Sequence, residues 1–194
     1  MMPQADGVTI RPYSEGDMWV LEKTLGDAEE MGHLNGPETR EQIERRHKIY
    51  VGMSADRRDG CMFTVMVGGS AAGTVGYWES EWDGEKVWET GWFVLPQFQG
   101  RGVATQAMKL MIQLVKGVPG HRNMVAFPST SNGPSNAVAR KVGFDLVREI
   151  DSEYPKKSGK FLHNNAWRLD LQPPEVGTEE RLWAGAEAAT RQSG

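Results

Sequence analysis

The sequence predicts a three-layer α+β fold, in which a mixed and mostly antiparallel central sheet of about seven strands carries helices on both faces. Short β-rich runs recur along the chain and are separated by turns containing Gly, Pro or Asn. Three of these runs follow one another through tight turns, which is typical of an antiparallel meander. Apolar residues at helical spacing interrupt the series at several places, so helices are expected to pack against the sheet.

The amino-terminal part is predicted to form one strand and two helices. Apolar and polar residues alternate over residues 7–13, which indicates a strand with one buried face. Ser14 suits a helix cap and acidic residues follow it, so a first helix begins there. After a loop over residues 31–36, Pro37 suits the first position of a second helix. That helix would turn three residues inward, namely Ile43, His47 and Tyr50.

The meander is predicted over three strands, at residues 61–67, 72–79 and 86–95. Gly68-Gly69-Ser70 would connect the first strand to the second, and Trp82-Asp83-Gly84-Glu85 would connect the second to the third. Both segments have the composition of tight hairpin turns, so neighbouring strands of this group are expected to pair antiparallel.

The carboxyl-terminal half is predicted to alternate helices and strands. A long helix follows Gly102 and ends near Lys116, because Gly117 and Pro119 stop it. Its apolar stripe consists of Val103, Ala107, Leu110, Met111, Leu114 and Val115. The remaining predicted elements are a strand over residues 123–127, a short helix over 134–142, and strands over 144–149 and 161–171.

Length and composition indicate a single globular domain. The chain has 194 residues, of which 39% are hydrophobic and 25% are charged, enough for one domain with a proper core. We expect that domain over residues 7–172, preceded by a disordered terminus over residues 1–6. Adjacent prolines at 173 and 174 cannot continue a strand ladder, so residues 173–194 are predicted to form a tail that is either helical or disordered.

Charge and cysteine content argue against several classes of protein. A net charge of −4 disfavours a nucleic-acid-binding protein, which usually has a basic face. The lone Cys61 excludes an internal disulfide and lies in an apolar run, where a buried residue is expected rather than a nucleophile. No Cys/His cluster has the spacing of a metal site. Because no signal peptide or long apolar run is present, we expect a cytoplasmic protein without bound metal, nucleic acid or membrane.

The junction between the strand ending near Pro96 and the long helix is a candidate anion site. Gly100 and Gly102 would let a ligand approach bare backbone, and Arg101 would add a charged donor. The first turn of a helix has N–H groups without partners and a partial positive charge, so phosphate groups bind there. The stretch has neither the third glycine of a dinucleotide fingerprint nor the Gly-Lys-Ser/Thr of a P-loop. A tight turn that needs two glycines is the alternative interpretation.

This stretch resembles the acyl-CoA signature of the GNAT N-acetyltransferase superfamily, Gln/Arg-x-x-Gly-x-Gly/Ala; here it reads Gln99-Gly100-Arg101-Gly102-Val103-Ala104. Residues 88–96 resemble the strand that precedes this loop in the family. A second motif, over residues 132–144, is similar to the family's Asn-x-x-Ser/Ala helix that ends in Gly-Phe. The motifs have the family's order and separation, and the resemblance spans roughly residues 7–171. On these grounds the chain is identified as a member of the superfamily, with a GNAT-like fold.

The resemblance implies direct transfer of an acetyl group from acetyl-CoA to an amine in a ternary complex, without an acyl-enzyme. It implies that the backbone of Trp92, Phe93 and Val94 holds the pantetheine arm, and that Asn132 hydrogen-bonds the pantetheine amides. The diphosphate would rest on Gln99, Gly100, Arg101, Gly102, Val103, Ala104 and Thr105. For Asn132, an ordinary loop or helix-capping role is the alternative.

Proton transfer points to Glu89 as the catalytic residue. An ammonium group must lose a proton before it attacks, so a carboxylate near the acceptor is expected. Glu89 lies on the strand that forms the catalytic edge, where relatives often have a Glu; it would otherwise bind the substrate's ammonium group or form an ion pair. Many relatives protonate the departing thiolate with a tyrosine, and Ala139 stands at that position here. That acid is unassigned, with Ser135 and Tyr77 as candidate substitutes.

The acceptor is predicted from one hairpin rich in acidic and aromatic residues. These are Glu79, Glu81, Asp83, Glu85 and Glu89 with Trp78, Trp82, Trp88 and Trp92. Such a surface suits a cationic amine, although a solvated charged face has the same composition. A further group, Asp27, Glu29, Glu30 and His33, would either face the acceptor or consist of exposed helix-end residues.

We predict a small cationic molecule with a primary amine as the acceptor. One alternative is a protein N-terminus, because the second motif also resembles the ribosomal-protein-acetylating branch. The other is an acyl-CoA-binding module without catalysis, which the missing tyrosine suggests. Membership of the superfamily also makes a homodimer possible.

Overall fold

The chain folds in the predicted order of strands and helices. The computed structural model describes residues 7–154 and 159–171, so the predicted terminus 1–6 and tail 173–194 lie outside the described residues. In chain order, the elements are β1 Val8–Pro12, α1 Met18–Leu25, α2 Arg40–Asp56, β2 Gly60–Val67, β3 Ser70–Trp82, β4 Glu85–Val94, α3 Val103–Val115, β5 Asn123–Ala126, α4 Gly133–Lys141, β6 Asp145–Glu153 and β7 Phe161–Asp170. Short 3₁₀ turns occur at Glu15–Asp17, Gly32–Leu34 and Pro96–Phe98.

The strands form one seven-stranded sheet in the order β1-β2-β3-β4-β5-β7-β6. Neighbouring strands pair antiparallel, except that β4 and β5 pair parallel. The β3–β4 turn has positive φ at Asp83 (54°) and Gly84 (77°), the backbone geometry of a tight hairpin. The predicted meander and the mixed, mostly antiparallel sheet are therefore confirmed.

Helices cover both faces of the sheet and bury two separate cores. The larger core lies between the sheet and α3 with α4, and the smaller core lies between the sheet and α1 with α2. On α3, Met108 and Ile112 are buried, whereas Leu110 and Leu114 of the predicted stripe are only partly buried. Since side chains alternate along a strand, β4 turns Trp88 toward the larger core and Glu89 toward the α1 and α2 side.

A buried carboxylate joins β1, the start of α1 and β2. Asp17 is only 2% exposed and accepts hydrogen bonds from Arg11 at 2.6 and 2.7 Å and from Thr64 at 2.9 Å. Burial alone would raise the pKa of Asp17, but the hydrogen bonds from Arg11, Ser14 and Thr64 hold it below its ordinary value. The carboxylate therefore stays charged and fixes the first helix against the sheet.

The second helix begins later than predicted. It starts at Arg40 rather than at Pro37, because Thr39 caps it: the Thr39 hydroxyl accepts from the Gln42 N–H, and the Gln42 side chain accepts from the Thr39 N–H at 2.7 Å. This reciprocal pair is the capping box Thr-x-x-Gln, which fixes the first turn. The predicted inward positions Ile43 and His47 are buried, and Tyr50 is partly buried.

Across residues 7–154 and 159–171, no helix is both long and apolar enough to cross a membrane. Within the same ranges, no group of three or more His, Cys, Asp or Glu side chains is placed to hold a metal ion.

Candidate functional site

The centre of the sheet opens between β4 and β5. β3 pairs with β4 along its whole length, from Glu85 to Val94. β5 pairs with β4 only at Trp88 with Met124 and at Glu89 with Val125. Beyond Glu89, the β5 side of β4 therefore has no paired strand within the described residues, and its backbone groups are available to a ligand.

The hydrogen-bond phase of β4 shows which backbone groups face this opening. The Leu95 N–H donates to the Ala72 carbonyl at 2.8 Å, so Leu95 turns its backbone groups toward β3. Along an antiparallel pair, successive residues point their backbone N–H and C=O groups alternately toward and away from the partner strand. The backbone groups of Phe93 therefore also point toward β3, while those of Trp92 and Val94 point toward the opening. Phe93 therefore uses its backbone groups in the pairing with β3, whereas Trp92 and Val94 turn theirs toward the gap; the contact of these three residues with pantetheine stays a prediction.

The loop after β4 presents free N–H groups at the start of α3. The first bond of the helix runs from the Gln106 N–H to the Gly102 carbonyl at 3.0 Å. Within the described part of the chain, no acceptor is recorded for the N–H groups of residues 100–105. Gly100 and Gly102 have φ values of 69° and 79°, in the left-handed region that favours glycine. The Arg101 side chain is exposed and lies over the Phe98 ring, with no carboxylate beside it in these ranges.

Gln99 differs from the prediction. Its N–H donates to the Pro96 carbonyl at 3.1 Å, so this donor is already used by the 3₁₀ turn. The side-chain amide donates to the Val94 carbonyl at 2.9 Å and to the Glu30 carboxylate at 2.8 Å. Gln99 therefore links the end of β4 to the segment between α1 and α2, a contact that the sequence analysis did not foresee.

Asn132, a predicted site residue, caps α4, because its Oδ1 accepts from the Ser135 N–H at 3.0 Å, while no partner of its Nδ2 is recorded among the described residues.

The loop after β5 is held by Asn136, which the sequence analysis missed. Asn136 uses both ends of its side chain: Nδ2 donates to the Ser129 carbonyl and Oδ1 accepts from Trp167 Nε1, each at 2.8 Å. A polar side chain on the buried face of a helix needs hydrogen-bond partners, and this was the signal in the sequence that could have revealed Asn136.

Glu89 lies beside the opening, on the face toward α1 and α2. It is partly buried, and among the described residues no hydrogen bond or ion pair of its carboxylate is recorded. Trp78 is its cross-strand partner on the same face. Gly91 makes room for that indole, since a Cβ there would lie 3.1 Å from Trp78 Cη2. An aromatic ring and an unpaired carboxylate therefore adjoin the point where β4 and β5 separate.

The acidic hairpin does not form one surface. Lys86 and His121 bind Glu79, and their hydrogen bonds lower its pKa. Arg148 pairs with Asp83 at the β3–β4 turn. Trp88 is 2% exposed and packs edge-on against Tyr77 in the larger core. The predicted acceptor surface is therefore wrong in its extent, because ion pairs hold Glu79 and Asp83 and the core contains Trp88. Trp78 and Glu85 remain on the face of Glu89.

Cys61 and Tyr77 lie in the larger core, whereas Ser135, the other candidate for the missing acid, is partly buried in the first turn of α4. Cys61 is fully buried, and burial raises the pKa of its thiol to about 12, so it is not a nucleophile near neutral pH. Tyr77 is also fully buried, which raises the pKa of its hydroxyl, and no partner of that hydroxyl is recorded in the described residues. Ala139 is buried as well, at the position of the family's tyrosine.

The described residues thus combine a mixed seven-stranded sheet, a gap between its two parallel strands and, beside that gap, a helix amino terminus whose first N–H groups have no recorded acceptor. Residues 8–145 match the family model described as acetyltransferase (GNAT) domain. The chain belongs to this family of acetyltransferases, which confirms the resemblance found in the sequence. The protein is accordingly an acyltransferase.

Solved structures with the same fold include acetyltransferases that act on different amines. The enzyme from Salmonella typhimurium that modifies the N-terminal serine of ribosomal protein L7/L12 is 19% identical with a TM-score of 0.70, covering 87% of this chain and 98% of its own. Spermidine N-acetyltransferase from Vibrio cholerae, with CoA and spermine, is 14% identical with a TM-score of 0.68, covering 84% and 95%. The aminoglycoside acetyltransferase AAC(6')-Ib, with ribostamycin and coenzyme A, is 18% identical with a TM-score of 0.68, covering 85% and 94%. None of the curated proteins compared with the chain matches it.

Proposed function

We propose that the protein moves the acetyl group of acetyl-CoA directly to a primary amine of a small cationic molecule, with both substrates bound at once. The observation that carries this proposal is the run of free N–H groups over residues 100–105, next to the open edge of β4. A diphosphate needs several donors and a partial positive charge, and a helix amino terminus supplies both. The structures of the spermidine and aminoglycoside enzymes contain CoA, which supports the same donor here.

The donor would lie along the opening. The pantetheine amides would pair with the backbone of Trp92 and with the N–H of Val94, because these groups face the gap and have no strand partner; the Val94 carbonyl already accepts from Gln99. The free Nδ2 of Asn132 would reach the same arm from the β5 side. Arg101 would add a charge-assisted contact to the diphosphate. In this arrangement the thioester comes to the point where β4 and β5 part, beside Glu89.

The chemistry needs no group of the protein to bond with the acetyl carbon. The neutral amine nitrogen attacks the thioester carbonyl, the carbon–sulfur bond breaks and coenzyme A leaves as a thiolate; the nitrogen loses its extra proton as the amide forms, and that proton passes, directly or through water, to the thiolate. Glu89 would take the proton from the ammonium before the attack, directly or through water. Free backbone N–H groups of β4 would stabilise the oxyanion. Thiols have a pKa of about 8.5, so departure of the thiolate needs no strong acid, which is consistent with Ala139 in place of a tyrosine.

A protein N-terminus is the second candidate acceptor. The favouring observation is the similarity to the enzyme that modifies the N-terminal serine of L7/L12. An N-terminal amine is less basic than a small alkylamine, with a pKa of about 7.7–8.0 against about 10.4 for a lysine-type amine. Such an acceptor would depend less on a general base, so the two candidates differ in how strongly a change at Glu89 should act.

The test is an incubation of purified protein with acetyl-CoA and mixtures of amines, followed by mass spectrometry and a thiol assay. The mixtures contain spermidine, kanamycin, amino-acid amides and peptides with a free N-terminal serine. We expect one small cationic amine to gain a single acetyl group with release of one equivalent of coenzyme A. Acetylation of the peptides alone would replace the proposal by the second candidate. Binding of acetyl-CoA without thiol release from any mixture would indicate a non-catalytic acyl-CoA-binding module.

A further inference from the structure

The segment between α1 and α2, residues 26–39, is fastened on both sides of the opening; we call it the α1–α2 segment. On the β4 side, the Gln99 amide donates to Glu30 Oε2 at 2.8 Å. On the β5 side, His33 Nδ1 and Ser131 Oγ lie 3.0 Å apart, in the loop that follows β5. These contacts join residues far apart in sequence, so the segment bridges the end of β4 and the end of β5.

Glu30 differs from the other acids of the segment. Asp27 shapes the turn, because its Oδ1 accepts the N–H groups of Glu29 at 2.8 Å and of Glu30 at 3.1 Å. Glu29 is exposed, whereas Glu30 is partly buried against Gln99. Burial raises the pKa of Glu30, against the opposing effect of the Gln99 hydrogen bond, and the carboxylates of Asp27 and Glu29 raise it further. The contact with Gln99 therefore holds a carboxylate in a place that burial alone would disfavour.

Gln99 connects the loop after β4 to the α1–α2 segment, so a restraint on the loop also acts on the segment. One hydrogen of its amide fixes the side chain to the Val94 carbonyl, at the edge of β4 that faces the opening, and the other reaches Glu30. The free N–H groups of residues 100–105 follow it directly. A ligand bound to those groups would hold the loop and so limit the freedom of Gln99.

We infer that Glu30 and Gln99 are positioning residues for the acceptor: their hydrogen bond holds the α1–α2 segment beside the opening, and coenzyme bound at residues 100–105 tightens it. The inference rests on the proposed function, because it places the coenzyme at that loop. Gln99 then has a role in acceptor binding although it belongs to the coenzyme signature. Loss of the Glu30–Gln99 hydrogen bond therefore weakens binding of the acceptor amine more than binding of acetyl-CoA.

Hydrogen–deuterium exchange with coenzyme A tests this directly. In the unaltered protein, coenzyme A should slow amide exchange both at residues 100–105 and over the α1–α2 segment. Glu30→Ala and Gln99→Ala should speed exchange of the segment about tenfold and remove its response to coenzyme A, because a hydrogen bond to a charged group is lost. Glu30→Gln should behave like the unaltered protein, since the new amide oxygen still accepts from Gln99. Glu29→Ala, which removes an equal charge from an exposed position, is the matched control.

Steady-state kinetics provide the second measurement, with the amine that the mixture experiment identifies. Glu30→Ala should raise the acceptor KM about tenfold, with kcat and the acetyl-CoA KM changed less than about threefold. A segment that responds to coenzyme A in Glu30→Ala as in the unaltered protein would overturn the inference. So would failure of Glu30→Gln to restore the response. Absence of any protection at residues 100–105 would instead contradict the proposed function, so the two failures are distinguishable.

Discussion

Glu89 combines the properties that a general base requires. It stands at the last paired position of β4 with β5, so it adjoins the opening rather than the interior of a complete sheet. No cation neutralises it within the described ranges, whereas Glu79 and Asp83 of the same hairpin are held by basic side chains. Trp78 is its cross-strand partner on the same face, and Glu89 itself is partly buried. Its place at the point where β4 and β5 separate, together with its partial burial, distinguishes Glu89 from Glu85, an exposed acid of the same strand face.

The change Glu89→Gln should lower kcat about 100-fold near neutral pH, because a positioned general base contributes roughly that factor. Affinity for acetyl-CoA should stay within about twofold, because Glu89 does not contact the donor in this account. The difference from the unaltered enzyme should narrow toward pH 9, where more of the amine is already neutral. Glu85→Gln is the control: it lies on the same face of β4 but is exposed, without a recorded partner among the described residues. Equal activity of Glu89→Gln and the unaltered enzyme from pH 6 to 9 would remove Glu89 from the mechanism.

The loop before α3 and the first turn of that helix form the proposed binding element for the diphosphate. Gly100 and Gly102 adopt left-handed conformations, which turn successive N–H groups away from the protein before the helix begins. A Cβ on either glycine would meet no protein atom within 4 Å. The space beside these glycines is therefore open to a ligand. Glycine suits both positions because it adopts the left-handed conformation easily and lets a ligand come close to the backbone.

The change Gly102→Val should raise the Kd for coenzyme A by about tenfold or more, because a branched side chain crowds the phosphates and disfavours the backbone conformation. Gly84→Val is the matched control, since Gly84 also has a positive φ (77°) and open space around its Cα, but it lies in the β3–β4 turn. Isothermal titration with coenzyme A measures both variants, and thermal unfolding compares their loss of stability. Equal Kd values for Gly102→Val and Gly84→Val would contradict this placement of the diphosphate.

Elements with local signals could be predicted, and contacts across the fold could not. Strands, hairpin turns and the glycine loop follow from alternation and turn chemistry, which depend on a few neighbouring residues. Pro37 was misjudged although Thr39 and Gln42 contained a readable capping box. The contact of Gln99 with Glu30 joins residues from opposite parts of the chain, and no local pattern indicates it.

The same limit applies to the predicted site. The anion loop was recognisable because its glycines, the preceding strand and the following helix are consecutive. Which backbone groups of β4 point toward the gap depends on how β4 pairs with β3, and the sequence does not specify that register at single-residue precision. The acidic hairpin seemed continuous in sequence, but Arg148 from β6 and His121 reach it from elsewhere and pair with two of its acids.

Considered as a whole, the molecule would hold the two proposed substrates on opposite sides of one gap in the sheet. The larger core with α3 supports the donor side, and the smaller core with α1 and α2 carries the side on which Glu89 lies. The parallel pair of β4 and β5 lies near the middle of a seven-stranded sheet, so a parting of these strands leaves the rest of the sheet intact. A rigid sheet with a local opening can align an amine and a thioester for direct attack.

A crystal structure of the complex with coenzyme A tests the central claim most directly. We expect diphosphate oxygens at about 2.7–3.2 Å from the backbone nitrogens of residues 100–105. The pantetheine arm should pair with Trp92 and Val94 along the free edge of β4. A diphosphate bound elsewhere, or N–H groups of residues 100–105 paired with the protein's own acceptors in the complex, would contradict the account.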